Sequence, residues 1–218
     1  MNRFLLVLAA LSLHAQTLDQ FLAKLDQAAA SFATAKADFH RSTFTVAIKE
    51  TDLDSGSMIM RKAAPGRMEF RIDITGDNAY SLVVKGDTAE RYHPQINQIE
   101  VADLKKYRDT LQMLLALGFG MSGASLKANY NISNLRRETA DGTPATAIDL
   151  APKSADLIEK LHLQKVELWI ADGNLTPVRE KVYFRDAVWT IDYFNVQLNA
   201  RIPSNAFDLP KNAKRVKY

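Results

Sequence analysis

The chain has 218 residues, 47% of them hydrophobic, and a formal net charge of +3. That is enough apolar material for a core, which excludes the disordered class, and the length fits one domain. There is no cysteine, so no disulfide adds stability and no lipid can be attached to an N-terminal cysteine.

Residues 1–15, MNRFLLVLAALSLHA, read as a cleavable signal peptide. Arg3 precedes an apolar run from Phe4 to Leu13, too short to span a bilayer, and Ala15 marks the cleavage site. The expected product is a soluble periplasmic domain over 16–218, since no later segment reaches the ~18 apolar residues of a membrane span. Thr17 and Gln20 are spaced as a capping box that opens a helix. Leu18, Phe21, Leu22, Leu25, Ala29 and Phe32 then form one apolar stripe at helical spacing.

From residue 37 the period changes to two. Strands are expected at 37–50, at 57–62 after an Asp54-Ser55-Gly56 turn, and at 66–74. In the last, Met68, Phe70, Ile72 and Ile74 face a core, while Arg67, Glu69, Arg71 and Asp73 face solvent. Strands at 80–86 and 87–93 turn on Gly86-Asp87, and 97–103 follows a Tyr92-His93-Pro94 turn. Further strands are expected at 127–137, 145–150, 162–171, 175–185 and 188–198, with hairpin turns at Asp172-Gly173-Asn174 and Arg185-Asp186-Ala187. The sum is about eleven short strands, an antiparallel barrel or sandwich in one α+β domain. Helices are expected at 108–121, apolar almost all round, and at 154–161 behind Ser154. The basic cluster of Lys211, Lys214, Arg215 and Lys217 reads as a solvated tail.

Chemistry-bearing motifs are sparse. His40, His93 and His162 fall on separated strands without metal-ligand spacing, and there is no nucleophile elbow or P-loop. Gly118-Phe-Gly120-Met-Ser-Gly123 matches the dinucleotide glycine pattern, but it follows a helix and lies outside any βα unit, so it reads as a glycine helix stop. No catalytic residue, cofactor or metal is expected. The apolar strand face and the apolar 108–121 helix either form one plain core or stand partly apart around a cavity, as barrels of about eight or more strands allow.

The order of features resembles the periplasmic outer-membrane lipoprotein carrier family, the LolA-like proteins, over about Phe21 to Val216. The motifs are the leader and amphipathic helix with Phe39 in the first strand, and Ala64-Pro65-Gly66-Arg67-Met68-Glu69-Phe70. They continue with Leu82-Val83-Val84-Lys85-Gly86-Asp87 and Tyr92-His93-Pro94, then Asp172-Gly173, Asn195 and Phe207-Asp208-Leu209-Pro210. The resemblance implies an open half antiparallel barrel of about eleven strands with helices on its concave side. It implies a monomeric, non-enzymatic carrier that shields lipoprotein acyl chains, or another lipid, between an inner-membrane lipoprotein-releasing transporter and an outer-membrane acceptor. No nucleic acid is implied.

The expected cavity and lid residues are Met68, Phe70, Ile72, Leu82, Val84, Tyr92, Met113, Leu114, Leu117 and Phe119. Ala64 stands where the family has an arginine latch, and Arg61, Lys62 and Arg67 are the candidate substitutes. The alternative is a regulatory half-barrel that senses lipid or lipoprotein and acts by protein contact. The expectation that such a sensor carries a second domain or an anchor favours the carrier.

Overall fold

The computed structural model describes residues 16–64, 67–107, 114 and 117–217. The expected signal peptide, Pro65 and Gly66 of the second motif, and most of the expected 108–121 helix before Leu117, Met113 included, lie outside the described residues. Helix α1 (Leu18–Ser31) begins at the predicted box: the Gln20 amide donates to Thr17 Oγ1 at 3.2 Å, and the Thr17 amide donates to Gln20 Oε1 at 3.0 Å. Two of the orphan amides of the first turn are thereby satisfied. Phe21, Leu22 and Leu25 are its buried stripe.

The strands are β1 (Thr34–Thr45), β2 (Glu50–Ala64), β3 (Arg67–Thr75), β4 (Tyr80–Lys85), β5 (Thr88–His93) and β6 (Gln98–Asp103). After α2 (Gly123–Asn129) come β7 (Tyr130–Ala140) and β8 (Thr143–Pro152), then α3 (Ala155–Glu159) and β9 (Leu163–Ala171). β10 (Pro177–Phe184), β11 (Ala187–Leu198) and β12 (Lys214–Lys217) complete the order. All twelve belong to one sheet, ordered β12-β6-β5-β4-β3-β2-β1-β11-β10-β9-β8-β7, whose ends β12 and β7 do not meet. Every pairing is antiparallel except β12 on β6. The fold is a mainly β, open half-barrel with helices over one face. No described helix is long and apolar enough to cross a membrane.

The covered face carries two neighbouring clusters. One joins α1, Leu117, Met121, Leu126 and Tyr130 to Ile148, Leu150, Val166, Leu168, Ile170 and Val182 of β8–β10. The other joins Phe32 and Phe119 to Ala35, Ala37 and Phe39 of β1, Met58 and Met60 of β2, and Phe70, Ile74 and Val84 of β3–β4. Leu117 and Phe119 therefore bind one cluster each and stand over the seam between them.

Four local expectations are corrected. Asp54-Ser55-Gly56 is not a turn; it lies inside β2, and the chain reverses between β1 and β2 at residues 46–49 instead. Gly56 is needed there for room, because a Cβ would lie 2.3 Å from the Asp73 carbonyl oxygen and 2.8 Å from the Phe39 ring. Arg67 is exposed as expected, but the rest of the charged face of β3 is not open to solvent. Glu69 is 8% exposed and takes Arg61, and Arg71 binds Asp73 and donates to the Ala206 carbonyl at 3.0 Å. A returning C-terminal segment covers it, seating Phe207, Leu209 and Ala213 on Val83 and Ile99.

The basic tail is not merely solvated either: Lys214–Lys217 is β12, with Arg215 Nη1 on Glu90 Oε1 at 2.5 Å. Lysine on a short edge strand blunts that edge against further pairing, and the same charge hides the strand from a hydrophobicity reading. Finally, residues 127–129, expected to open the 127–137 strand, belong instead to α2 (Gly123–Asn129) behind Ser122, whose Oγ accepts the Ser125 amide at 3.0 Å.

Candidate functional site

Alternation places one residue in two from each strand on the covered face, and the register aligns these residues in rows. Ala37, Phe39 and Arg41 of β1 continue across to Met58 of β2 and Ile72 of β3 on one side. On the other they meet Trp189, Ile191 and Tyr193 of β11, then Glu180, Val182 and Phe184 of β10. Between this floor and Leu114, Leu117 and Phe119 lies a cavity of about 120 Å³. Its wall is hydrocarbon and aromatic except at Arg41 and Glu180.

Phe119 roofs the cavity, its ring standing edge-on to Tyr193 with centroids 5.2 Å apart and planes at 86°. Tyr193 in turn meets Phe39 edge-on at 6.5 Å. The two glycines beside Phe119 make the turn. Gly118 has φ +75° and Gly120 φ +71°, and a Cβ on Gly120 would lie 2.4 Å from the Phe32 ring. The glycine pattern is thus a close-packed roof turn, and Gly123 begins α2 against Leu22.

The two polar residues differ in kind. Arg41 is pinned: Nη2 and Nε donate to Asp54 Oδ2 at 2.6 and 3.1 Å, Tyr80 is a further partner, and the guanidinium lies 5.5 Å from the Trp189 ring centroid. The charge is balanced where it sits, as burial requires. Among the described residues Glu180 has no salt bridge to a cation. It is 6% exposed and interacts with the Tyr193 phenol, and its Oε1 has no hydrogen-bond partner among the described residues. Burial pushes its carboxyl from 4.5 up to about 8, with the Tyr193 bond opposing the shift. Burial also raises Tyr193, and a negative Glu180 would raise it further. At neutral pH the acid is mainly protonated.

Of the residues expected from sequence, Phe70, Ile72, Leu114, Leu117 and Phe119 line the cavity together. Met68 and Val84 share its apolar cluster but sit to one side, and Leu82 pairs with Ile72 one strand beyond the lining. Tyr92 is on the opposite face, packed with Val83 and Ile99 beneath the C-terminal segment. The reason is register: Ser81, not Leu82, is its partner, so its side chain has the other parity. Met113 lies outside the described residues.

None of the three latch substitutes lines the cavity among the described residues. Arg61 binds Glu69 and stacks 4.7 Å over Phe207 on the outer face, while Lys62 and Arg67 are exposed at the ends of their strands. Arg41 is the cation in the wall. Sequence reading missed it with Phe39, Met58, Glu180 and the Trp189-Ile191-Tyr193 face. The findable mark was a charged residue in phase with an apolar strand face: Arg41 after Ala37 and Phe39, Glu180 before Val182 and Phe184. The histidines stay apart from all this. His93 Nε2 is 3.2 Å from Glu100 at a strand end, and His40 stacks on Phe194.

An open half-barrel with a roofed apolar cavity offers space for an apolar group. Neither a family model nor a curated protein matches the sequence. Among solved structures, the chain is similar to an uncharacterized conserved protein from Thermus thermophilus. The identity is 10% and the TM-score 0.58, covering 93% of this chain and 100% of that one. It is similar to Pseudomonas aeruginosa MucB in its complex with MucA, at 11% identity and a TM-score of 0.51, over 91% of this chain and 63% of that one. A LolA superfamily protein from Nitrosomonas europaea matches at 15% identity and a TM-score of 0.42, over 89% and 99% of the two chains. At these identities the likeness is one of fold, the open half-barrel that the sequence resemblance implied.

Proposed function

We propose that this protein is a periplasmic carrier that takes acyl chains, of a lipoprotein or another lipid, into the cavity between sheet and roof. It would shuttle them towards the outer membrane without covalent chemistry. One observation carries the reading: an apolar cavity whose floor is strand side chains and whose roof is Leu114, Leu117 and Phe119. Each buried methylene contributes about 0.8 kcal/mol, so even one chain gives a strong drive for uptake.

At about 120 Å³ the cavity is smaller than the engineered one of ~150 Å³ that holds a benzene ring. A long chain therefore enters only as Leu117 and Phe119 give way. That opening cost would keep binding reversible, as a carrier requires. An inner-membrane releasing transporter and an outer-membrane acceptor are the partners such a role requires.

The test is native mass spectrometry of the protein purified from its own periplasm, followed by lipid extraction. Co-purified acylated lipoprotein supports the role, and another lipid changes the cargo. An empty protein that also takes up no added lipid or lipopeptide overturns it.

A second reading is a regulatory half-barrel acting by protein contact. The observation in its favour is the β1–β2 hairpin tip, where Val46, Ile48 and Leu53 are 45%, 61% and 81% exposed. A partner captured through that tip, with the cavity empty, would support this reading over the carrier.

A further inference from the structure

Among the described residues of the cavity wall, Glu180 is the one unfinished polar group. It occupies a phase of β10 otherwise held by Val182 and Phe184, and it pairs across β11 with Ile191, which pairs with Arg41 on β1. Two strand spacings, about 10 Å, separate the two backbone positions. Arg41 is committed to Asp54 and Tyr80. Tyr193 interacts with the carboxyl, and Oε1 is buried with no hydrogen-bond partner among the described residues. Oε1 lies close beneath the roof turn: a Cβ at Gly118 would come within 3.0 Å of it, so glycine is what lets the carboxyl sit there.

We propose that Glu180 is a donor site for the carbonyl oxygen of an acyl ester or amide, so that the cavity recognises acyl linkage as well as hydrocarbon. This rests on the carrier reading. The Tyr193 phenol and the buried, unpartnered Tyr130 phenol both interact with the carboxyl, and among the described residues its Oε1 has no hydrogen-bond partner. A buried unsatisfied donor costs about 1–3 kcal/mol, which a ligand acceptor removes. A carbonyl suits the site better than a hydroxyl, because it is acceptor-only and brings no second donor to leave unpaired. A cationic amine would have to ionise the acid among aromatic and aliphatic walls. The raised titration of the carboxyl agrees with an acid held neutral for this purpose.

The test compares 1-lauroyl- with 1-O-dodecyl-lysophosphatidylcholine, which share chain and head and differ by one carbonyl. Each displaces a bound environment-sensitive dye from the full mature chain, from E180Q and from E180L. The wild type should prefer the acyl lipid about tenfold, the ratio that one such hydrogen bond supplies. E180Q, whose amide still donates, should keep a preference. E180L should bind the alkyl lipid at least as well as the wild type and discriminate less than twofold. Equal binding of both lipids by the wild type, or an undiminished preference in E180L, overturns the site and leaves the carrier reading standing. Tighter binding of dodecyltrimethylammonium than of either lipid also overturns it, because the group would then be acting as a carboxylate. Failure of every amphiphile to bind the wild type removes the carrier reading and the site together.

Discussion

Phe119 meets Tyr193 edge to face, ring centroids 5.2 Å apart and planes at 86°, and this contact joins the roof to the floor of the cavity. Phe119 is 2% exposed although it belongs to a turn, not to a strand or helix. Its ring packs in one cluster with Phe32, Phe39 and Phe70. Phe119→Ala should lower unfolding free energy by about 3–5 kcal/mol, as for other buried aromatic truncations. The same change enlarges the cavity, so binding of a small apolar dye should rise. Urea titration and dye fluorescence read the two effects separately. Unchanged stability would mean that the roof is not closed by this ring.

Glu180 makes stability fall with pH over a defined window. Its carboxyl moves from 4.5 in the unfolded chain to about 8 in the folded one, through burial. Between those values the folded state holds more protons than the unfolded state, so raising pH favours unfolding. The contribution is full below about 4.5, is lost progressively, and is gone above about 8, at ~1.4 kcal/mol per pH unit at most. Glu180→Gln has no proton to lose. The stability of E180Q relative to the wild type should therefore climb from pH 5 to 8 and then level off. Urea midpoints of the two proteins at five pH values check this, and a constant difference would place Glu180 in a more polar setting.

What the sequence disclosed and what it hid divide along a physical line. The Thr17 cap, the α1 stripe and the alternation of Met68 to Ile74 are local patterns, and they led to the right elements and, with the apolar run up to Phe119, to about a third of the cavity wall. Phe39, Trp189, Ile191 and Tyr193 lie on strands that were placed, yet their membership of the wall depends on which strands meet. That is set by the β1–β11 pairing, a contact between residues about 150 positions apart. Tyr92 shows the same limit in reverse: its apolar ring is in the predicted strand, but one step of register carries it to the far face. The ion pairs on β3 look like a solvated surface until the C-terminal segment is folded over them. The resemblance supplied the half-barrel, where periodicity alone left barrel and sandwich both open.

Gly56 links strand pairing to the cavity. Its place in β2 lets Phe39 lie flat against the sheet, and a Cβ would meet both that ring and the Asp73 carbonyl. Gly56→Ala must therefore push β2 from β3 or swing Phe39 into the cavity. Overpacking of this kind costs about 1–3 kcal/mol. Loss of dye binding together with that destabilisation is the expected result in a combined fluorescence and urea experiment. Retained binding at full stability would show that the sheet absorbs the methyl group elsewhere.

Arg71 ties the C-terminal segment to the outer face. Its Nη1 donates to the carbonyls of Ala206 and Asp208 at 3.0 and 3.3 Å, while Nε binds Asp73 at 2.8 Å. Ser81 Oγ donates to the same aspartate at 2.5 Å, which fixes the orientation of the pair. Hydrogen bonds from a charged donor contribute about 1.5–3 kcal/mol, and their removal here leaves two carbonyls without this donor and Asp73 without its cation. Arg71→Ala should loosen residues 202–213 before it loosens the sheet, because that segment is otherwise held by a small outer cluster, chiefly Phe207, Leu209 and Ala213 on Val83 and Ile99. Amide hydrogen exchange should accelerate in 202–217 and in β6, which pairs with β12, while β8–β10 keep their protection. Uniform acceleration across all strands would instead mean that the segment and the half-barrel open as one unit.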